Sequence, residues 1–314
     1  MKSYCVGVDI GGTSIKLGVF TDRGSMLGKW EIKTDKSDSG SHILDDIAAS
    51  IKVKLSEMGI SLDEVKGVGM GVPGPTMADG YVPVCVNLGW KAINPAKLLS
   101  EKLDGVTVKC GNDANVATMG EMWKGGGKGY KNVVLFTLGT GVGGGVIING
   151  KMVVGNRGLA GELGHMTVNC DETDSCNCGN KGCLEQYASA TGVVKVAKRI
   201  LAASEEASSL RSFENLTCKD VFDEAKKGDK LALEAVETLG KYLGMVLSYL
   251  TLGFDPDVFV IGGGVSKAGT ILIDVVQKYY EKYTVISKEK AQIRLATLEN
   301  DAGIYGAAKM AISR

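Results

Sequence analysis

Two well-separated stretches of this chain carry the same pattern of strand, glycine turn and strand. Residues Tyr4 to Ile10 are apolar and β-rich, break at Gly11-Gly12, and resume from Ser14 to Phe20 with alternating character. Residues Asn132 to Leu138 do the same, break at Gly139-Thr140-Gly141, and resume through Val142-Gly143-Gly144-Gly145 into Val146, Ile147 and Ile148. Glycine at the break permits a tight reversal between paired strands. A hairpin that occurs twice predicts an internally duplicated chain, with one copy in each half.

The segments around the hairpins alternate between helix and strand. Ile43, Ile47, Ile51, Leu55 and Met58 have helical spacing, and Val65 to Met70 reads as a strand. Val106 to Cys110 reads as a strand, followed by a helix over Val116 to Met122 and the loop Lys124 to Gly129. Val236, Leu239, Leu243, Val246, Leu247 and Leu250 form a helical stripe before a buried strand, Asp257 to Ile261, that ends in Gly262-Gly263-Gly264. This alternation predicts α/β sheets. At 314 residues the chain exceeds what one core usually organises, so two lobes with a cleft are expected, divided near Asn112 to Asn115.

Lys plus Arg and Asp plus Glu each number 36, with no run of like charge, which argues against nucleic acid or a membrane surface as partner. No apolar stretch reaches the roughly 18 residues of a membrane span, and the chain starts directly on a strand pattern, as expected of an unexported protein. Of 8 cysteines, Cys176, Cys178 and Cys183 crowd into one segment. In a reducing compartment that crowding favours metal binding over disulfides.

Asp9-Ile10-Gly11-Gly12-Thr13 can turn backbone N–H groups and the Thr13 hydroxyl toward a phosphate, with Asp9 placed to hold hydrated Mg²⁺. A single copy is explained as well by an ordinary hairpin turn. Two copies facing across a cleft can clamp a polyphosphate from both sides, and neither has the lysine of a P-loop. The arrangement resembles the superfold of actin, hexokinase and the heat-shock ATPases. That resemblance puts the third turn, Gly262 to Ser266, beside the adenosine; a helix N-terminus without ligand is the plainer alternative. Asn112-Asp113-Ala114-Asn115 sits between a strand and a helix, so Asn112 or Asp113 is either a helix cap or the carboxylate that orients an attacking hydroxyl.

Gly161-Glu162-Leu163-Gly164-His165, followed by the C-x-C-G-x-x-G-C run of Cys176 to Cys183, is the most specific signal. His165, Cys176, Cys178 and Cys183 make a closed tetrahedral set for a structural Zn²⁺ rather than three free thiols. Glu162 and Glu185 flank the loop, so the metal would fix two acceptors for sugar hydroxyls; solvated surface glutamates are the alternative. Because the glycine hairpins lie far along the chain from this loop, metal loss is expected to spare nucleotide binding.

These pieces, together with Gly71-Val72-Pro73-Gly74 and Asn87-Leu88-Gly89-Trp90, run in the order of the ROK family, whose bacterial glucokinases the chain resembles over essentially its whole length. The resemblance implies a duplicated, ribonuclease H-like, actin/hexokinase-type α/β fold. Its lobes would be residues 1–114 and 115–301, with a last helix, about 302–314, returning to the first lobe. It implies ATP-dependent phosphorylation of glucose at the 6-hydroxyl with Mg²⁺, in a cytoplasmic homodimer carrying structural Zn²⁺. Asp113 would be the base. Gly71, Asn87, Asn112, Glu162, His165 and Glu185 would hold the sugar. Asp9, Gly11, Gly12, Thr13, Lys16, Thr137, Gly139, Thr140, Gly141 and Gly262 to Gly264 would hold the nucleotide.

Another hexose, such as N-acetylmannosamine, N-acetylglucosamine, fructose or allose, is the main competing substrate. A repressor of this family would need a DNA-binding segment before the first hairpin, where three residues precede Tyr4. A non-catalytic scaffold is expected to lack the base or the turns. Many relatives have Glu where this chain has Gly111, and the loss of that carboxylate is expected to tune the base.

Overall fold

The computed structural model describes residues 2–313. β1 (Tyr4–Ile10) and β2 (Ser14–Thr21) form the first hairpin, with Asp9 opposite Lys16, and β3 (Met26–Lys33) extends it. Helix α1 (Ile43–Glu57) buries Ile43, Ile47, Ile51 and Leu55, the spacing that places side chains on one helical face. β4 (Val65–Val72) follows, then a small ribbon of β5 (Val82–Cys85) and β6 (Trp90–Ile93), α2 (Pro95–Lys102) and β7 (Val108–Asn112). The first sheet has the order β3-β2-β1-β4-β7.

The second half begins with α3 (Asp113–Lys124), the hairpin of β8 (Val133–Leu138) and β9 (Val142–Ile148), and the short β10 (Lys151–Met152). After the cysteine loop come α4 (Glu185–Ala188), α5 (Ala190–Ala203), α6 (Cys218–Lys226) and α7 (Lys230–Phe254). The chain continues with β11 (Val258–Gly262), α8 (Thr270–Tyr283), β12 (Gln292–Leu295) and α9 (Ala302–Ile312). The second sheet has the order β10-β9-β8-β11-β12. In both sheets an antiparallel three-strand unit is followed by two parallel strands, so the duplication read from the glycine hairpins extends to the whole topology. Each sheet has its own apolar core, one including Val6, Leu17 and Ile47, the other Phe136, Leu243 and Phe259.

The joint between β7 and α3 differs from expectation. β7 runs to Asn112 rather than ending at Cys110, and α3 starts at Asp113 rather than Val116. The reason is local: the side chain of Asn112, the last residue of β7, accepts the Asn115 N–H at 3.1 Å and caps the helix that starts at the next residue.

Helix α9 returns to the first sheet, packing on β1, β4 and α3. A Cβ at Gly69 would lie 1.8 Å from the Ala307 carbonyl oxygen, and one at Gly306 would lie 1.7 Å from that of Val116. Glycine therefore sets how closely α9 approaches both neighbours. No helix among the described residues is long and apolar enough to cross a membrane.

Candidate active site

The first glycine turn is closed by the Gly11 N–H donating to Ser14 O at 2.9 Å. Thr34, just after β3 and only 4% exposed, braces it from behind: its hydroxyl donates to Gly11 O at 2.7 Å and its N–H to Thr13 O at 3.0 Å. The second turn is closed by Gly139 N–H to Gly141 O at 2.9 Å. It too is braced, by the Ala190 N–H donating to Gly139 O and the Thr191 hydroxyl donating to Thr140 O, both at 2.8 Å. The third turn lies beside the second, because Gly263, at φ +84°, would with a Cβ come 2.5 Å from Leu138 O. A short 3-10 helix, Gly264–Ala268, follows it.

Asp113 occupies the first position of α3 and Asn112 is the cap, so the capping alternative falls to Asn112 and leaves the Asp113 carboxylate out of that role. Asn112 Nδ2 donates to Gly74 O at 3.2 Å. Gly71 forms the floor: a Cβ there would stand 3.6 Å from both the Asp113 Cα and Asp9 Oδ1. Ala114 brings in the second hairpin, its methyl 3.3 Å from where a Gly143 Cβ would sit, next to the Thr137 hydroxyl. Burial pushes the Asp9 carboxyl up to about 6; the Asp113 charge adds to this and Lys16 opposes it. Burial also raises Asp113, against the Ala114 N–H that it accepts at 2.8 Å, and the charge of Glu162 raises it further. Three carboxylates from both halves of the chain thus converge. Mutual repulsion in a confined space makes such a site receptive to a cation and to hydroxyl donors. Lys16 extends past Asp9 to donate to Asn300 O at 3.3 Å. Asn87 stands exposed on the short turn between β5 and β6, two residues beyond Cys85, whose thiol is raised by burial and also by the Asp113 charge.

The donor atoms of His165, Cys176, Cys178 and Cys183 all lie within 4.8 Å of one another. Thiolates bound to tetrahedral Zn²⁺ at about 2.3 Å are about 3.8 Å apart. The Cys178–Cys183 sulfurs are 3.7 Å apart and His165 Nδ1 is 3.8 Å from Cys176 Sγ, so the residues fit the ion. His165 Nε2 faces Glu162 at 4.0 Å, which leaves one ring nitrogen for metal and the other for the cleft. The loop is anchored on α5, where Arg199 grips buried Glu172 with bonds of 2.7 and 2.9 Å and the Tyr187 hydroxyl adds one of 2.6 Å. The Arg199 hydrogen bonds hold the Glu172 carboxyl well below its usual range.

Two expectations change here. The cysteine loop is not insulated from the glycine turns: Glu185 Oε1 is 3.7 Å from Cys176 Sγ, while its Oε2 accepts the Val142 N–H at 2.9 Å, directly after the second turn. Chain distance was a poor guide because α4 folds back onto the hairpin. Gly111 also differs. A Cβ there would point at Val116, 3.1 Å away, and at the Met310 sulfur, 3.5 Å away, toward a cavity of about 290 Å³ lined also by Met77, Met119 and Met152. A side chain at this position starts toward Val116 and Met310 rather than Asp113, into a cavity that Asp79, Lys109 and Asn112 also line, so the tuning of Asp113 expected from Gly111 gains no support from that direction. Sequence reasoning gave no role to Thr34, which has no motif around it, or to Thr191, which only closes the run Cys183 to Thr191 that resembles the glucokinases.

Residues 5–314 match the ROK family model. The chain belongs to the ROK family. This ROK protein is 42% identical over 308 residues to the glucokinase of Halalkalibacterium halodurans, covering 96% of this chain and 93% of that one. It is 31% identical over 320 residues to the N-acetyl-D-glucosamine kinase of Mannheimia succiniciproducens, covering 98% and 99%. The crystal structure of a ROK family glucokinase from Streptomyces griseus in complex with glucose and AMPPNP superimposes with a TM-score of 0.75 at 33% identity, covering 98% of each chain. The two-lobed actin/hexokinase-like architecture is therefore that of the ROK kinases.

Proposed function

We propose that this ROK protein phosphorylates glucose at its 6-hydroxyl with ATP, yielding glucose 6-phosphate and ADP. The observation that carries the reading is the convergence of Asp9, Asp113 and Glu162 beside two braced glycine turns. The higher identity to a glucokinase than to an N-acetyl-D-glucosamine kinase favours glucose among hexoses.

In this reading the γ-phosphate of ATP lies between Gly11-Gly12-Thr13 and Gly139-Thr140-Gly141, with Lys16 and Thr137 beside them and adenosine along Gly262 to Gly264. Asp113 accepts the proton as the sugar O6 attacks phosphorus; the new O6–P bond forms while the bond to the β-phosphate oxygen breaks, releasing ADP. Its raised proton affinity makes it a better base near neutral pH than an ordinary aspartate. Gly71, Asn87, Asn112, Glu162, His165 and Glu185 orient the sugar. Both Glu185 oxygens already have partners, and deprotonation of Cys176 on metal binding would release Oε1 for a hydroxyl. Mg²⁺ bound with ATP would neutralise phosphate charge, and Asp9 is the carboxylate that would hold its water shell. His165, Cys176, Cys178 and Cys183 would hold Zn²⁺ in a closed set of four ligands, a structural role.

We assign residues 1–114 with 302–314 to one lobe and 115–301 to the other, α3 spanning the joint. A homodimer is supported by exposed Tyr249 and Leu252 on α7, close to exposed Val285 and Ile286 after α8, where Ser248 Oγ donates to Tyr283 O. Eight unpaired cysteines fit a cytoplasmic location. Phosphoryl transfer from ATP to a panel of glucose, fructose, allose, N-acetylglucosamine and N-acetylmannosamine tests the assignment: glucose should give the highest kcat/KM, and a preference for any other sugar overturns it.

A further inference from the structure

The two glycine turns share more than their sequence. Each has a carbonyl oxygen that accepts a threonine hydroxyl from outside its hairpin: Gly11 O from Thr34 at 2.7 Å, and Thr140 O from Thr191 at 2.8 Å. The two threonines come from unrelated elements, the segment just after β3 and the first turn of α5, and they meet the first carbonyl of one turn and the second of the other. Duplication of the hairpin does not by itself supply them, so a comparable brace has been reached from two structural sources.

The chemistry of a phosphate turn explains the need. A glycine-rich turn binds oxygen anions through its N–H groups only if its peptide planes are held with N–H facing inward and C=O facing away. Glycine imposes little restraint of its own, because it populates backbone conformations that other residues avoid. A hydroxyl that donates to a carbonyl on the outer side of the turn fixes that peptide plane. Thr191 is itself held, its Oγ1 lying 3.1 Å from Ser189 Oγ, the N-cap of α5, which accepts the Gly192 N–H at 2.9 Å. Thr34 is buried and donates through both hydroxyl and N–H, so its orientation is fixed twice.

We propose that Thr34 and Thr191 are positioning residues for the nucleotide phosphates, each holding one turn in its anion-binding orientation without touching the nucleotide. The inference rests on the kinase reading of the two turns. Thr191 also belongs to the short segment that carries Glu185, so the second turn is held on one side by a hydroxyl and on the other by a carboxylate next to a metal ligand.

The test is calorimetric binding of Mg·AMPPNP and, separately, of glucose to the wild type, Thr34→Val, Thr191→Val and the matching serine variants. Valine keeps the shape and deletes the donor; serine keeps the donor. Each valine variant should bind Mg·AMPPNP about five-fold more weakly, the effect of one neutral hydrogen bond, with glucose affinity unchanged and serine within about two-fold of wild type. The same split should appear in the KM values for ATP and glucose. Valine variants that bind nucleotide like wild type, serine variants as weak as valine, or an equal loss of glucose affinity each overturn the inference. Failure of the wild type to bind Mg·AMPPNP is a different result: it removes the kinase reading first, and this inference with it.

Discussion

Glu185 receives the Val142 N–H on one carboxylate oxygen at 2.9 Å while its other oxygen lies 3.7 Å from the Cys176 sulfur. One side chain therefore touches both the cysteine loop and the strand that leaves the second glycine turn. The protein should contain one Zn²⁺ per chain, and chelation should weaken glucose and Mg·AMPPNP binding together. Metal analysis followed by calorimetry on chelated protein checks this. Absence of zinc, or nucleotide affinity untouched by its removal, contradicts the linkage.

Replacing Asp113 by Asn preserves a hydrogen-bonding group at the start of α3 but removes the proton acceptor. Turnover should fall by about 10²-fold or more, while glucose affinity stays near wild type. Steady-state kinetics beside direct glucose binding make the comparison; turnover near the wild-type value rules out Asp113 as the base.

Glu162 and Glu185 should separate in their kinetics. Glu162 faces His165 Nε2 and the Asp113 charge, so Glu162→Gln is expected to raise the KM for glucose and leave that for ATP. Glu185→Gln should raise both, because Val142 loses a charged acceptor. Indistinguishable profiles for the two variants count against these placements.

The carboxyl of Asp9 is raised to about 6, chiefly by burial and then by the Asp113 charge. A carboxyl raised on folding favours the protonated folded state, so its contribution to stability is complete below the unfolded value near 3.8 and is lost as pH rises through about 6. Cation binding has the opposite sign, since it needs the ionised form. The KM for Mg·ATP should therefore climb as pH falls through about 6, and thermal stabilisation by Mg·ADP should fade over the same range. A flat profile from pH 5 to pH 8, with the pH values taken around that midpoint, argues against Asp9 as a cation-site carboxylate.

Packing under α9 offers a test independent of ligands. A methyl group at Gly69 would meet the Ala307 carbonyl oxygen at 1.8 Å, closer than any relaxed contact, so Gly69→Ala must displace the helix. A loss of about 2–3 kcal/mol in denaturant unfolding is expected. An unaltered midpoint means that α9 does not approach β4 so closely.

Much of the architecture was readable because it repeats or is periodic. The glycine hairpins, the Ile43-Ile47-Ile51 face and the cysteine spacing each follow a local rule. What escaped was contact between distant residues. Thr34 meets Gly11 across 23 positions and Thr191 meets Thr140 across 51, separations that no local spacing rule bridges. Strand β12, whose four residues are only exposed or half-buried, has no apolar run to announce it. Gly111 drew attention only through the resemblance, and a Cβ there would point at Val116 and Met310, a direction that sequence adjacency to Asp113 does not reveal.

Helix α9 has a consequence for how the protein is made. Ile304, Ala307 and Ala308 are fully buried, and the helix covers β1 and β4, strands translated long before it. While residues 302–312 are still inside the ribosome, the face of the first sheet that carries Cys5 and Phe20 lacks its cover. One face of the second sheet is covered by α5, α6, α7 and α8, from within residues 190–283, while its other face also meets Met310 of α9. The half of the molecule translated first is then completed only when the last helix emerges.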